Sequence, residues 1–261
     1  MDFINAIILL SNFVIVPSIT YGSQLALGAI GVTLIYGVLR FANFAYGDLM
    51  AFGTMCVILF TWLLKSWGIS LGILPTALLA LPFGIVLTIG VSLFFDRTVF
   101  EYYRNKKSSP VTFIVVSLGI MFVLNAVVRI IIGPNDIVFM DGARFIISAV
   151  EFRETTGLLE GLTIKSTQVI TIITTSITCY LLFNFLNKTK TGKSMRAYSN
   201  NEDLALLSGI DPNRIILITW IIVSILATIG GTLYGLDKSF KPFTYFNNLL
   251  PIFAATIVGG I

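Results

Sequence analysis

The residues best placed to do chemistry sit in a short polar break between two apolar runs. Arg40-Phe-Ala-Asn-Phe-Ala-Tyr-Gly-Asp48 sets two charges, an asparagine and a glycine between the charge-free stretches Phe3–Leu39 and Leu49–Leu64. A charge at membrane depth costs about 2.5–3.5 kcal/mol on insertion scales and usually serves function. Irregular backbone at that depth survives only when it is buried in protein or lines a cavity, and transporter sites often lie at broken helices. An ordinary tight turn, with Arg40 marking the cytoplasmic side, fits the same residues.

A second segment, 187–214, is polar and basic. Ser199-Asn-Asn-Glu202 has capping-box spacing, so the serine oxygen can accept the N–H three residues on while Glu202 reaches back. Glu202 and Asp203 place negative charge in the first turn, where the helix dipole favours it. Leu204, Leu207 and Ser208 share a face. Gly209 suits the residue after the helix, and Asp211-Pro212 ends the element. A short helix of about nine residues is expected, either resting on the membrane surface or docking a soluble partner.

The tail, Tyr245–Ile261, again follows asparagines (Asn247, Asn248) with small residues and glycines, and weakly resembles Asn43–Gly53. Two interrupted apolar segments, one per half, fit the internal repeats of transporters. Of the lone polar residues within spans, Asn125 is expected to bond a neighbouring helix and Arg129 to extend to the surface. Gly28 and Gly31 permit close helix packing.

The chain has no histidine, which removes Ser-His-Asp and Cys-His catalysis and every histidine metal site. Cys56 and Cys179 lie inside apolar runs without C-x-x-C spacing and read as small buried hydrophobes. No G-x-x-x-x-G-K-[ST] phosphate loop is present: Lys193-Ser194 follows Gly192, but no glycine stands five residues before it. The net charge of +4 comes from loop lysines and arginines and does not suggest nucleic acid. The N-terminus lacks the basic region of a cleaved signal peptide.

The elements that must position these residues are membrane helices. The 261 residues are 56% hydrophobic and only 11% charged, against roughly 25% charged in soluble domains. Several runs reach the roughly 20 residues a membrane helix needs, and stretches such as Val115–Val123 lack the alternation of barrel strands. The fold class is an all-α integral membrane protein, a polytopic bundle of about six to eight transmembrane or re-entrant helices. Pro17 is expected to divide Phe3–Leu39 into a short apolar helix, Ile4–Val16, and a span from about Thr20. Further spans are expected at Gly47–Leu64, Leu71–Phe95, Pro110–Ile132, Ser166–Leu186 and Arg214–Leu236. Leu249–Ile261 reads as a helix cut off midway, so residues 1–261 form a single transmembrane domain whose C-terminus is expected to be truncated.

Loops 96–109 and 187–214 hold nine of the 17 basic residues, whereas 133–165 has three beside five acids. The positive-inside rule places the first two in the cytoplasm and the acidic loop outside. Within that loop, Val150–Arg153 and Leu162–Lys165 read as short strands or a surface helix.

Tyr21–Asp48, through Arg40-Phe-Ala-Asn-Phe-Ala-Tyr-Gly-Asp48, strongly resembles the start of LivH-type permeases, the membrane subunits of ABC importers for branched-chain amino acids. The family's usual form there is close to N-F-A-H-G-[DE], and Tyr46 stands in place of the histidine. Thr191–Ala197 with Asn200–Asp211 resembles the family's cytoplasmic coupling segment. Asp203-Leu-Ala-Leu-Leu-Ser-Gly209 is similar to its E-A-A-x-x-x-G signature, with Asp203 and Leu204 replacing Glu and Ala. The stretch Ala254–Ile261 resembles the start of the last glycine-rich region, and family members generally continue beyond it.

The resemblance implies a non-enzymatic permease subunit, multi-pass in a bacterial or archaeal inner membrane. Its implied partners are ABC ATPase subunits that bind the ATP, a second permease subunit, a periplasmic substrate-binding protein and membrane lipid, with no nucleic acid. It carries no cofactor, no metal and no catalytic residue of its own. The substrate class is branched-chain or other neutral amino acids, with urea and short amides as the nearest alternative. ATPase docking is assigned to Gly192, Arg196, Glu202, Asp203, Leu204, Ala205 and Gly209, and the translocation path to Asn43, Tyr46, Gly47 and Asp48. The rival class, a self-contained carrier or channel, needs carboxylates within spans. Only Asp48 lies near a span centre, with Asp96 and Asp237 at ends.

Overall fold

A computed structural model describes residues 2–158 and 160–260. Leu159 of the acidic loop and Ile261 of the tail lie outside the described residues. The helices run α1 (Asp2–Leu10), α2 (Val16–Leu39), α3 (Tyr46–Ser66), α4 (Ala77–Phe95), α5 (Glu101–Asn105) and α6 (Pro110–Ile132). A two-stranded antiparallel ribbon, β1 (Phe145–Ile147) and β2 (Ile164–Lys165), brackets α7 (Ala149–Thr156). Then follow α8 (Ser166–Lys188), α9 (Lys190–Asn200), α10 (Glu202–Leu207), α11 (Pro212–Lys238), α12 (Pro242–Asn247) and α13 (Leu249–Val258). Among the described residues, six helical stretches are long and apolar enough to cross a membrane, so the chain is an all-α multi-pass membrane protein.

Two expected breaks are absent. Pro17 does not divide the first run: the chain is helical from Asp2 to Leu39, and a π turn at Ser11–Ile15 precedes the proline. The widened turn takes in Phe13, whose carbonyl Pro17 cannot satisfy and against which its ring would clash. A second π turn, Asp96–Phe100, carries α4 into α5, so the expected loop is helical as far as Asn105. Arg104 holds that turn, donating to both Asp96 oxygens at 3.0 and 3.4 Å. At the other end, α4 begins at Ala77 rather than Leu71, just after Pro75-Thr76.

The core is α3 packed on α11, with α2, α4 and α6 around them. Every residue from Tyr46 to Ile58 is buried. Small residues let the two central helices meet, since a methyl on Gly231 would stand 2.7 Å from the Met50 carbonyl. The hydroxyls of Ser92 and Ser224, 2.7 Å apart, tie α4 to α11. Gly28 packs against Ile252 of α13 and Gly31 against the Tyr46 hydroxyl, as the small-residue reading expects.

The acidic loop is anchored at several points. Ile137 and Phe240 exchange backbone hydrogen bonds of 2.9 and 2.8 Å, and Lys241 pairs with Asp136 at 2.6 Å. Asn12 donates to the Gly161 carbonyl and accepts the Thr163 N–H. Val150–Arg153 is helical and Ile164–Lys165 a strand, so one of each alternative is realised.

Asp141 accepts the Thr76 N–H at 2.9 Å and pairs with Lys65 at 3.1 Å. Burial raises its pKa, but the Thr76 bonds and Lys65 outweigh burial and leave it below the ordinary value. A depressed carboxylate stabilises the fold above its unfolded pKa and loses that contribution as pH falls through the folded value. Protection of the Thr76 amide from hydrogen exchange is therefore expected to hold at neutral pH and to drop on acidification below about pH 4. Asp141→Asn should abolish that pH dependence, whereas an unchanged acid profile would assign it to another group.

Candidate functional site

The chain leaves α2 at Arg40, whose left-handed backbone (φ 61°) caps the helix, and runs without regular structure to Ala45. Its polar groups are met by side chains. Asn43 Oδ1 accepts the Ala45 N–H at 3.0 Å, an Asx turn that launches α3, and Ser117 Oγ on α6 accepts the Phe44 N–H at 3.1 Å. Phe41 packs against both Phe100 and Phe113, with centroids 5.3 and 5.2 Å away. Phe41, Asn43 and Ala45 of the break are thus buried, Ala42 and Phe44 half-buried, and Arg40 exposed.

The four residues assigned to the path occupy different settings. Asn43 holds the turn. Tyr46 is fully buried against α2. Gly47 is where α12 crosses, and a methyl there would lie 2.8 Å from the Tyr245 carbonyl. Asp48 is 1% exposed, accepts a 2.7 Å hydrogen bond from Asn125 Nδ2, and leaves its Oδ2 without a partner among the described residues. Asn125 therefore bonds a neighbouring helix, as expected. It lies 15 residues beyond Pro110, about 22 Å along α6 and well inside a span.

Asp48 and Asn125 line a cavity of about 330 Å³ with Met121, Arg129, Phe243 and Phe246. The Arg129 guanidinium lies 4.6 Å from the centre of the Phe243 ring, which is itself exposed. Sequence reasoning missed Phe243 and Phe246. The available signal was Lys241-Pro242, which starts a short helix that turns aromatic residues back onto α6. The weak likeness between 43–53 and the tail has a spatial counterpart, because the two segments touch at Gly47–Tyr245 and at Phe44–Phe253, whose rings are 5.4 Å apart.

The basic segment forms two helices joined by a corner. Thr189 caps α9 by accepting the Gly192 N–H at 3.0 Å. Gly192 is buried against the backbone of Phe185 and Leu186. The capping box is displaced: Ser199 belongs to the last turn of α9, and Asn201 caps α10 by accepting the Leu204 N–H at 3.0 Å. Glu202 accepts the Tyr198 hydroxyl at 2.7 Å instead of reaching back to Ser199. Burial first, and then that carboxylate, raise the Tyr198 phenol pKa. The second helix has six residues rather than nine because Asn201 is extended (φ −152°) and separates it from α9. Gly209 follows in the left-handed region at φ 78°, the conformation expected after a helix end.

Ala205 is buried beneath α10, whereas Arg196, Glu202, Asp203 and Leu204 are exposed. Leu207 is 85% exposed. The segment is joined to the break, for the Arg40 guanidinium donates to the Ser199 carbonyl at the end of α9. Arg40, Arg104, Lys107, Tyr198 and Glu202 line one cavity of about 210 Å³ at this basic end. The two cysteines are free, Cys56 buried and Cys179 half-buried. No cluster of metal-ligating residues occurs among the described residues.

The model of the family described as the permease component of branched-chain amino acid transport systems matches residues 14–261. The high-affinity branched-chain amino acid transport system permease protein LivH of Escherichia coli K12 is 26% identical over 248 residues, 93% of this chain and 77% of the relative. The corresponding protein BraD of Pseudomonas aeruginosa is 25% identical over 257 residues, covering 95% and 78%. No solved structure matches.

Proposed function

This chain belongs to the family of branched-chain amino acid transport permease components, and on that premise we propose that it is the membrane-spanning subunit of an ATP-driven importer that moves branched-chain amino acids across a bacterial or archaeal inner membrane. ATP is bound and hydrolysed by separate ATPase subunits. A second permease completes the path, and an external binding protein delivers the substrate. Arg196, Glu202, Asp203, Leu204 and Gly209 present the docking surface for the ATPase, and the buried Gly192 and Ala205 seat it on the bundle. Asn43, Tyr46, Gly47 and Asp48 border the translocation path, with Asp48 in the wall of a cavity and the other three holding the elbow beside it.

The observation that carries this reading is the exposed apolar edge of α10, Leu204 and Leu207, on a short capped helix tied through Arg40 to the break in the spans. A rigid element with unspent apolar surface at the basic end suits a soluble partner, and the Arg40 contact gives a route by which movement of that partner reaches the elbow.

The first test is a gentle-detergent pull-down through an N-terminal tag, with all recovered chains identified by mass. An ATPase and a second permease should co-purify; recovery of this chain alone, where known complexes survive, would favour a self-contained carrier. A sharper one is Gly209→Val. A non-glycine residue in the left-handed region costs about 1–2 kcal/mol, and more when β-branched, so ATPase recovery is expected to fall about 5- to 30-fold. Undiminished recovery would remove α10 from the docking surface.

A further inference from the structure

Three features of the Asp48 cavity point to a ligand of one chemical class. Asp48 lines the cavity and keeps its second carboxylate oxygen buried with no partner among the described residues, and a buried unpaired charge is costly. Arg129, one helical turn beyond Asn125, forms no ion pair among the described residues; its guanidinium rests on the face of Phe243. Met121, Phe243 and Phe246 supply an apolar wall. Opposite charges that share a cavity without pairing leave a place for a dipolar molecule between them.

We propose that this cavity is a holding site on the translocation path for the zwitterionic head of an apolar α-amino acid. The Asp48 carboxylate, turned toward the cavity it lines, accepts from the ammonium group, Arg129 donates to the ligand's carboxylate, and Asn125 holds the Asp48 side chain in place through its hydrogen bond. The side chain lies against Phe243, Phe246 and Met121. Charge-assisted hydrogen bonds of both signs would exclude molecules that carry only one of the two head groups. A volume of about 330 Å³ lies at the small end of ligand pockets, which suits an amino acid rather than a peptide. The assignment rests on the reading of this chain as an amino-acid permease and adds to it the residues and the polarity of the site.

The test uses the intact importer in liposomes and the diazirine analogue of L-leucine, photolysed during turnover and mapped by mass spectrometry. Uptake of L-leucine by the unaltered complex is measured first, because its absence overturns the permease reading itself. With uptake established, label is expected on 121–129 or 242–247. Excess L-leucine should suppress it at least tenfold, whereas 4-methylpentanoate, which lacks the ammonium, and isoamylamine, which lacks the carboxylate, should not. Arg129→Gln should reduce the label at least tenfold, and Arg129→Lys should retain more of it than Arg129→Gln. Label confined to other segments, or absent while the analogue is transported, overturns the site and leaves the permease reading intact. Equal suppression by the two one-headed analogues overturns the zwitterion assignment.

Discussion

Asp48→Asn is expected to assemble normally and to transport branched-chain amino acids at least 30-fold more slowly. The substitution keeps the shape of the side chain, so its amide oxygen can still accept from Asn125, now 2.7 Å from the carboxylate. It removes the negative charge of a side chain whose buried second oxygen has no partner among the described residues. Losing one partner of a desolvated charge–charge contact costs about 2–5 kcal/mol, which sets the size of the defect. Stability should not fall, because an unpaired buried carboxylate is itself unfavourable; the melting temperature is expected to stay level or rise. Normal uptake by this variant would return Asp48 to a purely structural role at the start of α3.

Gly192→Ala is expected to have the second largest effect, on assembly instead of transport. Its new methyl would overlap the Phe185 carbonyl oxygen and lie 2.8 Å from that of Leu186. Both are backbone atoms of α8, so relief requires opening the corner between α8 and α9. That movement carries Tyr198, Ser199 and α10 away from Arg40, and ATPase recovery should fall at least tenfold. Gly119→Ala is the control, since a methyl there meets nothing within 4 Å, and it should leave recovery unchanged. If the two variants behave alike, the corner does not position the docking surface.

The spans were legible because apolar runs long enough to cross a bilayer have few other uses: Pro110–Ile132 was placed to the residue, and Ser166–Leu186 and Arg214–Leu236 to within two. Pro17 misled because a proline interrupts a helix only if its neighbours cannot absorb the missing bond, and the π turn at Ser11–Ile15 absorbs it. Ser199 misled for a related reason. Capping spacing is a local signal, and Ser199 falls in the last turn of α9, a helix that the spacing does not show. The glycine after α10 was readable, since Gly209 stands just before Asp211-Pro212 and adopts the left-handed conformation that such a position favours. At the cavity, Asp48 was visible as a charge beside an apolar run and Asn125 as a helix-bonding amide. Phe243 and Phe246 were not, because their place beside Arg129 depends on how α12 folds back over α6 across more than a hundred residues of chain.

ATP-driven uptake decides whether this chain is the permease of an importer. The co-purified complex, reconstituted in liposomes with ATP on the side of α9 and α10 and its binding protein opposite, is given radiolabelled L-leucine. Leucine is expected to accumulate on the α10 side, to require ATP hydrolysis and to be competed by isoleucine and valine. Leucine movement that proceeds at the same rate without ATP, or no movement by a complex that still hydrolyses it, would contradict it.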